Sequence, residues 1–291
     1  MTASTSIRTS ESARRGPKRR QLSVPTLVML CALAIIAVYP IVMFGFNALK
    51  SQNEMAQNPL GPPPRWRWSN FATAWSQANM AAGLTNSVVI VLGTIAIVCV
   101  VAGCGAYALA RINVAGGTKF ITYLLVSSAL PTQMFLVPLF YIWTRIGLYD
   151  SRLGLIIIFS GLFSPFATLL LRSFLITLPK EFEEAARVDG ASELSVLFRI
   201  ILPSALPGLF TTALVTGLSA YNEFMFAVTF IQSSDLLPVS TALFAFQQGY
   251  TKDYTLISAA GMIMIAPMLI LFLVLQRRFV EGLASSGMGG A

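Results

Sequence analysis

Histidine is absent from this chain. That absence alone removes imidazole acid–base catalysis, serine–histidine triads and histidine metal sites. No G-x-x-x-x-G-K-[ST] run occurs either, so the chain has no phosphate-cradling loop of its own. Cysteine is sparse. Cys31, Cys99 and Cys104 each stand in an apolar run, none in a metal or redox spacing, and they read as small packing residues. Charge is scarce too: 11% of the 291 residues are Asp, Glu, Lys or Arg, against about 25% in soluble domains.

Apolar residues fill the place of the missing charge. They make up 55% of the chain, and the mean hydropathy is +0.71. Only lipid makes that much apolar surface useful, so the sequence predicts an all-α membrane protein. The net charge of +8 needs no nucleic acid, because Lys and Arg collect on the cytoplasmic loops of membrane proteins.

Six apolar stretches are each near the roughly 20 residues a bilayer requires. A polar, basic segment, 1–21, reads as a disordered cytoplasmic tail. The uncharged run from Leu22 to Leu49 exceeds a signal-peptide core of about 7–15 residues and reads as an uncleaved first span, near 24–46. Pro62, Pro63 and Pro64 forbid a helix before span two, and Trp66 and Trp68 suit a membrane interface. Span two covers about 84–110. Span three lies between Lys119 and Arg145, span four between Arg152 and Arg172, span five near 205–231 and span six near 254–276. With the N-terminus inside, cytoplasmic segments hold 14 Lys and Arg and outer segments six, which favours both termini in the cytoplasm. The spans form one membrane domain, 22–283, followed by a short cytoplasmic tail, 284–291.

One polar segment interrupts this pattern. EEAARVDGASELSVLFRIILP, residues 183–203, concentrates charge between spans four and five. Pro179 suits the first turn of a helix. Glu181, Glu183 and Glu184 favour that helix's N-terminal dipole. Gly190 is placed to cap its C-terminus, and Ser192 to cap a second helix near 193–201 that Pro203 ends. Leu194, Leu197, Phe198 and Ile201 recur at helical spacing as its apolar face. Helices that rest on headgroups favour Lys and Arg. This segment has five carboxylates between 181 and 193 against the single Arg187, so a protein partner fits it better.

Glu184-Ala185-Ala186, then Gly190, then Ile200 and Leu202-Pro203 resemble the EAA loop of binding-protein-dependent ABC importer permeases. The six spans, Asn86-Ser87, and Ala106 to Arg111 are similar to the same family. Asn222-Glu223-Phe224 with Phe226-Ala227, and Gln276 to Phe279 with Gly282-Leu283, resemble its carbohydrate branch, the six-span maltose-type inner permease. Tyr221 stands where that branch often has Trp, and the tail 286–291 lacks a lysine common there.

The resemblance implies a cytoplasmic helix-turn-helix coupling loop, 178–203, that docks in a cleft of a separate ATPase. Glu184 would pair with a basic side chain there, Ala185 and Ala186 would allow close approach, and Asp189 and Gly190 belong to the same docking turn. It also implies a homologous second permease, an ATPase dimer that holds the ATP and Mg, and an extracytoplasmic solute-binding protein, all in or at the cytoplasmic (inner) membrane of a bacterium. This chain would bind no cofactor and perform no covalent chemistry, while a sugar or polyol crosses by alternating access.

Glu223 is the one acid well inside an apolar run. An ionisable group there faces a cavity or a partner. It either lines the solute path or makes a structural hydrogen bond to the second permease. Tyr221, Asn222 and Gln133 are further path candidates, since polar and aromatic groups read sugar hydroxyls and ring faces. Pro131, Pro138, Pro165 and Pro267 either unwind their helices at the path or kink them. Another cargo within the importer class, an ion-coupled transporter with Glu223 as its cation site, and a membrane-embedded enzyme are the alternatives. The absence of an obvious internal repeat speaks against the ion-coupled transporter.

Overall fold

Proline and glycine set several of the helix boundaries. A computed structural model describes residues 23–112, 114–246 and 252–287, with the side chains of 245 and 275–287 left aside. The helices are α1 (Val24–Ala48), α2 (Gln52–Gln57), α3 (Ser69–Gln77), α4 (Met80–Arg111), α5 (Gly117–Ala129), α6 (Leu136–Ile146), α7 (Arg152–Thr177), α8 (Glu181–Val188), α9 (Glu193–Val196), α10 (Leu202–Ser204), α11 (Leu206–Asn222), α12 (Met225–Phe230) and α13 (Tyr254–Gly287). There is no strand among the described residues. The basic segment 1–21 and the last residues of the tail, 288–291, lie outside them.

Four helices are long and apolar enough to cross a membrane: α1, α4, α7 and the 254–274 stretch of α13. Two bent pairs bring the number to six if each pair is one span. The expected third span is therefore not one helix. Its halves, α5 and 132–146, meet at 92°. Leu130 is extended because Pro131 follows it, and a residue before proline is pushed out of the helical region. Pro138 falls in the first turn of α6, where its missing N–H costs nothing. Pro165 and Pro267 sit inside α7 and α13, which run on past them. Of the four prolines, only Pro131 stands at a break.

The described residues up to Met43 and those from Phe44 onward form separate compact units. In the first, 24–42 is an apolar helical stretch with no buried residue. In the second, α4 and α7 run parallel and pack along their length, with Gly93 against Ile156 and Gly105 against Thr168. Small residues at such a seam let helix backbones approach, which in lipid replaces the hydrophobic drive that water supplies. Helix α11 closes the bundle antiparallel to them, with Gly217 against Ile95 and Gly208 against the Phe174 ring. The cysteines depart from the packing role expected of them: Cys31 and Cys104 are exposed and Cys99 is half-buried, all three unpaired. Trp66, Trp68 and Phe71 are stacked in series, with both tryptophans exposed as an interface would need.

Gly154 tests this packing. A Cβ there would overlap the Leu148 carbonyl oxygen, a backbone atom that cannot swing aside. Gly161, on the same helix, would meet nothing within 4 Å. Gly154→Ala should destabilise the detergent-solubilised protein by about 1–3 kcal/mol, as overpacking does. Gly161→Ala should be neutral or gain up to about 1 kcal/mol. Thermal unfolding monitored by fluorescence compares them, and equal midpoints for the two variants would contradict the packing described.

Candidate functional site

Helix α7 stops at Thr177 because Leu178 precedes Pro179 and is extended. Pro179 then lies two residues ahead of α8 rather than in its first turn. Glu181, Glu183 and Glu184 occupy the first turn of α8 and Arg187 the last, the arrangement its dipole favours. Gly190, at φ +83°, closes the helix. The Ala191 N–H donates to the Ala186 carbonyl and the Gly190 N–H to the Arg187 carbonyl, both within 3.1 Å, which is a Schellman closure. Ser192 caps the next helix by accepting from the Ser195 N–H.

The second helix departs from the expected pattern. After α9 the chain widens into a π turn, 197–201, and continues through α10, so Pro203 does not end it. The stop falls at Ala205, where 193–204 and α11 meet at 79°. Val196, Leu197 and Ile201 are buried, whereas Leu194 and Phe198 are exposed. Positions 196–197 and 201 recur at the wider spacing of a π turn, which reassigns the inward face.

A polar network that the sequence did not reveal holds this loop. Arg111, the last residue of α4, brings its Nε within 2.8 Å of Glu183 Oε1, and both side chains are 2% exposed. The contact is ionic, off the hydrogen-bonding direction. Arg111 Nη2 donates to the Leu178 carbonyl at 2.7 Å. Arg187 lies 3.7 Å from the other Glu183 oxygen and donates to both oxygens of Glu193, at 2.8 and 3.2 Å. Tyr107, one turn before Arg111, donates to Glu193 Oε2 at 2.5 Å and accepts from Arg187 at 3.2 Å. The clue was present only as spacing: Tyr107 and Arg111 are four apart, as are Glu183 and Arg187, so each pair shares a helix face.

Glu183 and Glu193 are thus engaged with the chain's own cations. The carboxylates of Glu181, Glu184 and Asp189 are exposed and, among the described residues, unpaired. Phe182 and Val188 stand beside them, 68% and 87% exposed. Ala185 is exposed and Ala186 is half-buried against the chain's own core, so of the two alanines only Ala185 lies on the open side. The face left open is acidic and apolar at once.

The second group lies where α11 ends. The expected fifth span is interrupted at Glu223–Phe224. Glu223 Oε1 accepts from the Phe226 N–H at 3.1 Å, a donor that in a continuous helix would serve the residue 222 carbonyl. The Glu223 carbonyl accepts from Ser240 Oγ at 2.9 Å. Both of these bonds are made within this chain. Phe224 stacks on Phe244 with ring centroids 4.9 Å apart and planes 4° from parallel. Asn222 is exposed and donates to the Leu218 carbonyl.

Tyr221 points the other way. It is 6% exposed, and its hydroxyl donates to the Met264 carbonyl at 2.7 Å, three residues before Pro267. A neighbouring side chain supplying bonds near an intramembrane proline is the usual way such a helix is tolerated. Tyr221 is a packing residue, and its hydroxyl is not free for a solute. Gln133 is exposed in the 3-10 turn at the break of the third span, with no hydrogen bond to the 221–223 group. Among the described residues, no cluster of three His, Cys, Asp or Glu side chains could hold a metal ion.

The family described as "Binding-protein-dependent transport system inner membrane component" matches residues 103–285. "Probable ABC transporter permease protein YurM" of Bacillus subtilis is 33% identical over 278 residues, which cover 94% of this chain and 92% of that one. "Diacetylchitobiose uptake system permease protein NgcG" of Streptomyces coelicolor is 31% identical, covering 92% and 89%. A solved bacterial ABC transporter involved in the import of the polysaccharide alginate shares the fold, with a TM-score of 0.75 at 23% identity over 88% of this chain and 95% of that one. The chain belongs to the family of binding-protein-dependent transport system inner membrane components, the multi-pass permease subunits of ABC importers, whose ATPase is a separate chain.

Proposed function

We propose that this permease conducts a sugar, an oligosaccharide or polyol, and that the 178–203 segment is its cytoplasmic coupling loop. The observation that carries the loop assignment is the open face of α8. Glu184, Phe182 and Val188 are offered outward while Glu183 is drawn inward on Arg111, so the loop is fixed to the bundle and free toward a partner. Glu184, Ala185, Asp189 and Gly190 form the docking turn, with Ala186 closing it from within. An ATPase dimer that closes on ATP then moves the loop, and the helices alternate between inward- and outward-facing. The kinship to a diacetylchitobiose permease favours a saccharide cargo.

In this reading each bent pair is one span, giving six, and both termini are cytoplasmic. The membrane domain covers 22–283, with a short basic tail before it and the 284–291 tail behind. A second permease completes the path, and a solute-binding protein delivers at the outer side. Asn222, Glu223 and Gln133, at two helix breaks, face the path with Tyr221 packed behind them. Broken spans are where permeases expose backbone and polar groups to a solute.

Three measurements bear on this. In a chain freed of its own cysteines, a cysteine at Ser234 should react with an impermeant maleimide added outside, and one at Ser10 should not. The reverse pattern would invert the topology. Glu223→Ala removes the acceptor for the Phe226 N–H, a bond of about 1.5–3 kcal/mol, and uptake should fall. Glu223→Gln keeps an oxygen there and should be milder, whereas normal uptake by both variants would remove Glu223 from the path.

The loop gives the decisive test. Glu184→Lys replaces attraction by repulsion at the contact, costing roughly 3–5 kcal/mol where it is buried and less at a wet rim. Gly190→Val forces a β-branched residue into the left-handed region, at about 1–2 kcal/mol or more. Both should insert normally yet lose ATPase co-purification and the ATPase activity stimulated by loaded binding protein. Unchanged stimulation and uptake in both would return the loop to a surface helix without a partner.

A further inference from the structure

The loop is bound to the bundle in two different ways. One is apolar contact: Val196, Leu197 and Ile201 share a buried cluster with Leu171 and Leu175 of α7 and with Val98, Ala102 and Ala106 of α4. Apolar contact is non-directional and tolerates sliding. Against α4 it is held in addition by directional hydrogen bonds at the Tyr107 hydroxyl and by the buried ion pair of Arg111 with Glu183. Tyr107 and Arg111 of α4 grip Glu183, Arg187 and Glu193, and among the described residues no side chain of α7 or α11 joins that ring. The ring thus ties α8 and α9 directly to the end of α4.

At its other end α4 carries a second polar grip. Asn86 Nδ2 donates to the carbonyls of Asp235 and Leu237, at 2.7 and 3.1 Å, and Ser87 Oγ accepts from the Val239 N–H at 2.9 Å. Asn86 and Ser87 are 3% and 2% exposed. The gripped segment opens the 3-10 helix Val239–Phe246, whose Ser240 bonds the Glu223 carbonyl and whose Phe244 stacks on Phe224. Between the two grips α4 rises about 30–38 Å, enough to cross the hydrocarbon core of a bilayer.

We propose that α4 is the transmission rod of this permease. Its Tyr107–Arg111 end takes up the motion of the coupling loop, and its Asn86–Ser87 end delivers it to the 235–246 segment and so to the helix break at Glu223. Asn86, Ser87, Tyr107 and Glu183 act as positioning residues; none touches the solute or the ATPase. The inference rests on the coupling role proposed for the loop. It adds which helix carries the stroke and where the stroke arrives. A coupling route needs direct evidence of coupling, beyond spatial continuity.

The test uses the whole importer in proteoliposomes, with a reporter cysteine at Ala242 in a chain freed of Cys31, Cys99 and Cys104. Maleimide labelling at 242 should change at least fivefold between the nucleotide-free and ATP-trapped states. In Glu183→Gln and in Asn86→Ala the change should shrink below twofold, and solute taken up per ATP hydrolysed should fall at least fivefold, while the ATPase still co-purifies and hydrolyses ATP. A merely structural role would lower membrane levels or thermal stability and leave uptake per ATP where it was. If either variant does not assemble, Tyr107→Phe and Ser87→Ala, which each remove one hydroxyl, decide by the same two readouts. Retention of the labelling switch and of uptake per ATP in the variants would overturn the rod, as would a wild-type chain with no switch at 242. Failure of the wild-type chain to hold the ATPase at all would instead overturn the coupling role of the loop.

Discussion

Arg111 and Glu183 are each almost entirely removed from solvent, and neither could stay there alone. An isolated buried charge is so costly that it is paired or neutralised. A buried pair adds little net stability over an apolar replacement, but losing one partner is severe. The pair therefore acts as a positional constraint: the start of α8 must lie beneath the end of α4 wherever that helix goes. With Glu183 committed inward, the exposure of Glu184 and Phe182, its chain neighbours, follows from helix geometry.

The interruptions of the apolar spans obey a related constraint. Backbone groups left unpaired in lipid are expensive, so each break must find a substitute partner. At the break after Asn222 the Glu223 carboxylate serves the Phe226 N–H, and Ser240 serves the Glu223 carbonyl. At the break after Ala129 the Met134 N–H returns to the Pro131 carbonyl. These bonds explain why a chain so poor in polar groups places several of them inside the bundle.

The two polar grips on α4 differ in chemistry in a way that suits a permease. The loop end is ionic, built on Arg111, Arg187, Glu183 and Glu193. The opposite end uses a neutral amide and a hydroxyl, which bind backbone without a formal charge. Between them α4 meets α7 through Gly93 and Gly105, the close packing by which helices associate without water's help.

What the sequence determined by itself is what short-range chemistry decides. The scarcity of charge placed the chain in a membrane, Gly190 and Ser192 marked the turn and the cap of the polar loop, and Glu223 stood out as an acid in an apolar run. Each depends on residues within one helical turn or on composition. Tertiary structure decided which carboxylate of Glu181, Glu183 and Glu184 turned inward, that Tyr221 faced α13, and that the helix after Ser192 widened into a π turn. It also gave Asn86 and Ser87 their partners and broke the expected third span into two helices 92° apart. These outcomes rest on partners far along the chain, such as Tyr107 and Glu193, 86 residues apart, and Asn86 and Asp235, 149 apart. Helical periodicity says which side chains share a face, but only the packing of that face says what it meets.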